Sequence, residues 1–436
     1  MSSEWRSTTV GELCQAVFSG GTPTSTNSLY FGGSIPWLRT KEVNYEKILA
    51  TEQHISQAGY ENSSAKLVPI NSVIVAMYGN GDTAGRVAIN KIPLTTNQAC
   101  CNLVIDPTRA DHRFVYYFLK GRYQELVDLK NGGAQQNLNS RLIKAFPIST
   151  PTLAMQHEIA ALLEGLDDRI ALLRETNATL EAIAQALFKS WFVDFDPVRA
   201  KQQGLAPAGM DEAAAALFPG SFEDSVPGSL PKEWPVAKLG DEATYLNRGI
   251  SPKYLEAGGV RVLNQKCIRD FMVDVSKARW HDGTQRSITG RELRVGDVLV
   301  NSTGVGTLGR VAQVLALDET TIVDSHVTVV RAGRRLSWNY LGLAMMRRQA
   351  EIEALGEGST GQTELNRGKL AGLEFVVPPD AILRAFDTST IPLRMRMSAN
   401  VQQAQTLATL RDTLLPRLIS GQLRLPEAQA AMEEAA

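Results

Sequence analysis

The sequence has no excess of charge of either sign, few cysteines or histidines, and no long apolar run. Each shortage excludes something. The 436 residues carry 45 basic and 46 acidic side chains, a formal net charge of −1. The chain as a whole therefore lacks the basic excess that usually marks a nucleic-acid binder. No stretch reaches the ~18 apolar residues of a membrane span, so no membrane partner is expected. The opening MSSEWRSTTV has no basic and no apolar region, so no secretory signal is expected. The four cysteines, Cys14, Cys100, Cys101 and Cys267, form no C-x2-C pair. They suit neither zinc nor a disulfide framework and are expected to be reduced thiols. His157-Glu158 opens an H-E-x-x-H pattern, but Ala161 stands where the second ligand would be. No metal site is expected. A G-x-S-x-G elbow, a Walker A loop and N-P-P-Y or D-P-P-Y motifs are all missing, so no catalytic residue is expected in this chain.

What is present is an internal repeat. Gln135-Gln136-Asn137-Leu138-Asn139 recurs as Gln362-Thr363-Glu364-Leu365-Asn366, an offset of 227. The same offset carries Pro151 onto Pro378, Thr179-Leu180 onto Thr406-Leu407 and Leu187 onto Leu414. GNGDTAGRVA (79–88) matches GVGTLGRVA (304–312) with one residue deleted, and Trp5 and Trp234 stand near the two starts. The chain reads as two copies of one unit.

Each copy has a globular part, 1–151 and 234–378. Short β-branched runs such as 72–76 and 297–300, bounded by Gly, Asn and Pro, predict strands. Helices are expected over 112–129 and 338–355, which makes the globular parts α+β, with helices and strands mixed. Each copy then has a long helix. Leu163, Leu166, Ile170, Leu173, Asn177, Leu180, Ala184, Leu187 and Trp191 follow a 3-4 spacing, the seam of a coiled coil. Leu393, Met397, Asn400, Ala404, Leu407, Leu414 and Leu418 repeat it, interrupted by Arg411, with Pro392 expected to start or kink the helix and Pro416 to disturb its end. The simplest cover for either stripe is the other helix, packed antiparallel. Asn177 and Asn400 would then set register, or else face solvent at a distorted turn. Between the copies, 194–233 is rich in Pro, Gly, Ala and acid and reads as a surface linker with at most a short helix at 210–217. The expected plan is a globular part at 1–151, a helix at 152–193, the linker at 194–233, a second globular part at 234–378, a helix at 379–421 and a tail at 422–436.

Gly304-x-Gly306-x-x-Gly309 satisfies a dinucleotide fingerprint, with Asp324 where a ribose-binding acid would stand. The fingerprint requires a helix after its third glycine. Residues 310–315 read as a strand instead, so the glycines belong to a hairpin, and a nucleotide-binding enzyme is the weaker reading.

Charge by segment revises the whole-chain value. Residues 1–150 hold 14 basic and 11 acidic side chains, and 231–378 hold 20 and 17. Residues 151–230 hold 5 and 12. The globular parts are mildly basic, a property compatible with phosphate contact; the acidic segment is expected to meet protein. The loops 132–137 and 358–363 are rich in amide and hydroxyl side chains, which can read base edges or satisfy turn backbone.

Taken together, SGGTPTS (19–25), IPWLRTKEV (35–43), GNGDTAGRVA, GGAQQNLN, LEAIAQALFKSWFVDFDPV (180–198), GSLPKEWPVAKLGD (228–241) and LRDTLLPRLISGQL (410–423) resemble, in order, the DNA specificity subunit of type I restriction-modification systems over essentially the full chain. The resemblance implies two target-recognition domains alternating with two long helices paired as an antiparallel coiled coil, a pseudo-two-fold repeat. It implies that each domain reads one half of a split, asymmetric double-stranded DNA target. The helices would set the spacer and dock two methyltransferase subunits, joined by restriction (translocase) subunits. S-adenosylmethionine, ATP and Mg would then belong to the partners, with no cofactor in this chain, and the location would be the bacterial cytoplasm, at the nucleoid when DNA is bound. A coiled-coil adaptor that does not bind DNA is the other alternative. Candidate DNA-binding residues are Arg39, Lys41, Asn80, Arg86, Gln135, Gln136 and Asn137 in the first unit. In the second they are Gln265, Lys266, Thr303, Arg310, Thr360, Gln362 and Thr363. Arg86 and Arg310 are equivalent and suit phosphate contact or hairpin structure better than base reading. The helix and partner interface is expected to use Leu163, Leu166, Ile170, Leu173, Asn177, Leu180, Leu187, Trp191, Met397, Asn400, Leu407, Leu414 and Leu418.

Overall fold

The computed structural model describes residues 5–79, 81–130, 137–225, 228–358 and 363–435. The chain divides into two compact units, Met1–Leu173 with Gln403–Ala436, and Arg174–Gln402. The division falls inside the long helices rather than at 151 and 378. Packing is the reason: Leu163, Leu166, Ile170 and Leu173 share one buried core with the first globular part and with Leu407, Leu414 and Leu418.

In the first unit a five-stranded sheet runs in the order Cys14–Ser19, Cys100–Ile105, Val73–Ala76, Val87–Asn90, Lys47–Ile48. Only the last pairing is parallel. Val73–Ala76 is interior and buried along its whole length, which is why it reads as a continuous apolar run rather than an alternation. The helix His112–Gly121 buries Phe114, Val115, Phe118 and Leu119 in the same core. A second, smaller sheet orders Gln53–Ile55, Phe31–Leu38 and Thr95–Thr96.

The second unit repeats the plan. Its larger sheet orders Ala243–Arg248, Val327–Ala332, Val298–Asn301 and Val311–Gln313. Its smaller sheet orders Tyr254–Leu255, Arg279–His281, Val260–Leu263 and Thr321–Val323. Apart from Tyr254–Leu255, which has no counterpart strand, these are the first unit's sheets at offsets near 226. The parallel edge strand Lys47–Ile48 is replaced by a separate hairpin, Ile268–Arg269 with Met272–Val273. Each helix expected over 112–129 and 338–355 is broken once, at Arg122 (φ −110°, ψ 25°) and at Arg348 (φ −95°, ψ 14°). Both arginines leave the helical region while their N–H groups stay bonded to the preceding turn. Gly121 sits where a Cβ would come within 2.5 Å of the Ile419 side chain, so close approach to the second long helix requires glycine there.

The long helices run Leu153–Phe192 and Asp380–Ile419, 40 residues each. That is ~60 Å at the usual rise. The second starts at Asp380 and passes through Pro392 and Pro416, so neither proline begins or ends it. Within the second unit Asn177 faces Asn400 while Phe188 and Trp191 pack on Phe386, so the helices run antiparallel. Asn400 is 1% exposed and its Nδ2 donates to Asn177 Oδ1 at 2.8 Å; Asn177 Nδ2 donates to the Met397 carbonyl at 3.0 Å. The asparagines therefore satisfy each other on the seam and do not face solvent. Leu180 and Leu187 are only half-buried, whereas Ala184, Phe188, Trp191 and Phe192 are buried. Large aromatic rings take over the seam at this end, because they bury more surface than leucine.

Two further expectations are corrected. Segment 194–233 is more than a surface linker: beside the expected short helix, here Glu212–Ala216, it forms the helix Asp196–Gln202 and the hairpin Phe222–Ser225 with Gly228–Pro231. Phe195, Val198, Phe218 and Leu230 lie in the second unit's core with Trp234. The tail is a helix, Leu425–Ala435, whose Ala428 is fully buried in the first unit's core.

Candidate nucleic-acid interface

The glycine motif lies between antiparallel strands, Val298–Asn301 and Val311–Gln313, and no helix follows it. Gly304, Gly306 and Gly309 all have positive φ. At Gly309 a Cβ would also stand 2.6 Å from Glu353 Cα. These glycines exist for the backbone. Asp324 is 3% exposed, burial pushes its carboxyl up, and it accepts the His326 N–H at 2.9 Å. It closes a turn and is not available to a ribose. The thiols are held protonated: burial pushes Cys14 up to about 12 and Cys101 and Cys267 to about 11.

The sequence-derived candidates separate into small groups. In the first unit Arg39 donates to Glu52 at 3.3 Å and Lys41 pairs with the same carboxylate. Lys41 and then Arg39 hold Glu52 below the usual carboxylate range. Arg86 bridges Asp82 Oδ1 (2.6 Å) and Asn44 Oδ1 (2.7 Å), which ties down the loop that precedes it. Arg310, its counterpart, donates to the Gly306 carbonyl at 2.9 Å. Both arginines brace their hairpins. Asn137 is exposed, and the next residue is anchored through Leu138 N–H to the Met77 carbonyl at 3.0 Å.

In the second unit the structure joins Gln265 and Thr303. Thr303 Oγ1 lies 3.3 Å from Gln265 Oε1 and 2.7 Å from His326 Nδ1, a neighbour the sequence reading missed. The signal was His326 beside the Asp324 turn, which the fingerprint search read for its acid alone. Lys266 is exposed, its N–H capped by Asn264 Oδ1 at 2.8 Å. Thr363 is exposed beside the strand Glu364–Leu365. Asn80, Gln135, Gln136, Thr360 and Gln362 lie outside the described residues.

Charge placement also sharpens. The acidic first long helix meets basic residues of its own unit. Glu164 pairs with Lys47 and Arg113, each at 2.8 Å, and Asp168 with Lys47 at 2.6 Å. Asp167 receives Arg411 at 2.6 Å, the Tyr117 hydroxyl at 2.9 Å and Lys120 at 3.2 Å. Burial pushes Asp167 up, but Lys120, Arg411 and Tyr117 together hold it below the usual carboxylate range. Arg411 thus interrupts the apolar seam because an acid faces it. Part of the globular basic excess is neutralised inside the unit, so the three acids do not form a free anionic face for a partner.

Residues 2–182 match the family described as the type I restriction modification DNA specificity domain. Over 94% of its length the chain is 26% identical to the specificity subunit of the type I restriction enzyme MjaIX of Methanocaldococcus jannaschii, covering 92% of that protein. Along both comparisons the chain is similar to the type I restriction-modification specificity subunits. The HindI specificity subunit of Haemophilus influenzae is 24% identical over 69% of this chain and 74% of its own length. A solved S subunit from M. genitalium shares the fold, with a TM-score of 0.61 at 15% identity over 95% of this chain and 96% of that one. The family match covers the first repeat. The matching order of the shared strands extends the same architecture to the rest of the chain. No described helix is long and apolar enough to cross a membrane.

Proposed function

We propose that this specificity subunit reads a split double-stranded DNA target, one half with each unit, and acts as the non-catalytic member of its complex. The observation that carries this is the repeat itself: two units with the same strand order display different side chains at equivalent places. A duplicated scaffold with diverged surfaces suits two unlike half-sites, so the target is asymmetric. In this reading the long helices set the unspecified spacer and dock two modification subunits, and restriction subunits join them. S-adenosylmethionine, ATP and Mg serve the partners. The work is done in the bacterial cytoplasm, at the nucleoid. With a net charge of −1 and basic residues partly neutralised within the first unit, the subunit alone binds DNA weakly and its partners supply much of the phosphate contact. DNA contacts are assigned to Arg39, Lys41, Gln265, Lys266 and the loops beside Asn137 and Thr363. Arg86 and Arg310 are assigned to hairpin structure.

The test is to assemble the full chain with the modification subunits encoded beside it and to map methylated bases on genomic DNA. A bipartite, non-palindromic motif is expected. Exchange of 1–151 for another recognition domain should alter one half only; alteration of both halves refutes independent reading.

A further inference from the structure

In both units the smaller sheet runs into the 3-10 turn that bears candidate contact residues. Phe31–Leu38 leads to Thr40–Glu42, and Val260–Leu263 leads to Gln265–Cys267. The strand beside it starts at Gln53 in one unit and at Arg279 in the other. Gln53 stands opposite Trp37 and Arg279 opposite Val262, so the two registers agree. Both side chains are exposed. Each strand start is tied to its turn: Glu52, just before Gln53, receives Arg39 and Lys41, and the Lys277 carbonyl, two residues before Arg279, accepts Asn264 Nδ2 at 2.9 Å.

Arg279 is held differently from several arginines of its unit. Arg261 is tied to Asp318 and Glu319, Arg331 to Asp297, Arg335 to Glu242 and Arg348 to Glu351. Arg279 has no ion pair among the described residues; its guanidinium lies 3.3 Å from the centre of the Tyr254 ring. A stacked guanidinium keeps a fixed plane and leaves its in-plane donor fork free. An arginine tied to an acid keeps its plane by using that fork. At the equivalent place the first unit has an amide, and Gln53 makes no side-chain hydrogen bond among the described residues. Its carbonyl accepts Thr51 Oγ1 at 2.7 Å, which fixes the strand start beneath it.

We propose that Gln53 and Arg279 are equivalent specificity-determining residues, Gln53 reading an adenine in one half-site and Arg279 a guanine in the other. Arginine matches guanine O6 and N7 bidentately, and glutamine matches adenine N6 and N7. The inference rests on the DNA-reading function above and assigns two bases within it.

The test uses the full chain assembled with its modification subunits and selection from a duplex library randomised across both half-sites. Arg279→Gln should move one position of one half-site from guanine toward adenine, with discrimination changing by about 5- to 150-fold. The other half-site should not change. Gln53→Arg should produce the reverse shift at one position of the other half. Tyr254→Phe should keep the guanine preference, and Tyr254→Leu should weaken it at the same position. Uniform loss of affinity for all sequences, with a shallower salt dependence, would make Arg279 a phosphate contact and overturn the proposal. Unchanged selection in both variants overturns it too. A wild-type complex that selects no sequence at all would instead defeat the DNA-reading function itself. Thermal unfolding matched to wild type excludes misfolding of these exposed-site variants.

Discussion

Asn177→Leu is the perturbation with the clearest sign. The Asn400 amide is 1% exposed and donates to Asn177 Oδ1 at 2.8 Å, so leucine at 177 leaves a buried donor unmet. Such a group costs about 1–3 kcal/mol, whereas replacing both partners by apolar groups is close to neutral or stabilising. The Met397 carbonyl also loses the Asn177 donor, but it accepts within its own helix. Asn177→Leu alone should therefore lower the melting temperature of the second unit by roughly 2–12 °C, taking ~2–4 °C per kcal/mol for a unit of this size. Asn177→Leu with Asn400→Leu should regain most of that loss. A double-mutant cycle by thermal and urea unfolding should give a coupling of about 0.5–3 kcal/mol. If the two single losses simply add, the asparagines are not a mutual pair and the seam argument is wrong.

Other perturbations test other parts. Asp167→Asn should destabilise the first unit by about 1–3 kcal/mol at neutral pH, less than the ~3–5 kcal/mol of a fully buried pair because the site is partly exposed. Asp167 has a depressed folded-state pKa, so its contribution is present above the unfolded value of about 4 and fades as pH falls through the folded one. The gap between wild type and Asp167→Asn should accordingly narrow in acid, and a gap that stays constant to pH 2 would show that Asp167 is not the titrating group. Gly309→Ala combines positive φ with a clash against Glu353 backbone and should cost more than ~2 kcal/mol in denaturant unfolding, while Gly306→Ala, with open space, should cost only the ~1 kcal/mol of a left-handed residue. Insertion of four residues into both long helices adds ~6 Å. Methylation mapping should then find a spacer longer by nearly two base pairs, and an unchanged spacer would show that the helices are not the ruler.

Much of the architecture was legible because it repeats. The matched seams, the hairpin glycines and the interior strands each appear twice, and a pattern seen twice at one offset is hard to misread. What escaped the sequence was whatever depends on three-dimensional company. Arg122 and Arg348 each break a helix; Gly121 stands beside the first break, but no glycine or proline marks the second. Phe195 and Phe218 sit in a composition typical of linkers, yet two aromatic residues found a core beside Trp234. Arg394 belongs to a seam helix but is 1% exposed, and it donates to Gln313 and Asn339 from the globular part. Burial pulls its guanidinium down to about 10. The candidate contacts were the least legible. A polar residue near glycines looks the same whether it braces a hairpin, as Arg86 does, or stands exposed, as Asn137 does.

The buried charge on the long helices has a consequence for how such a gene can change. At the repeat offset of 227, Asp167 corresponds to Arg394, and Arg411 corresponds to Ala184. Each residue suits the surroundings of its own copy: Asp167 has Arg411 and Lys120, Arg394 has Gln313 and Asn339, and Ala184 is fully buried. Recombination that copied the first helix over the second would bring an aspartate to position 394, beside amide oxygens, and an alanine to position 411, leaving Asp167 short of a cation. The helices themselves have become heritable labels of first and second, which keep the two halves of the read sequence in order.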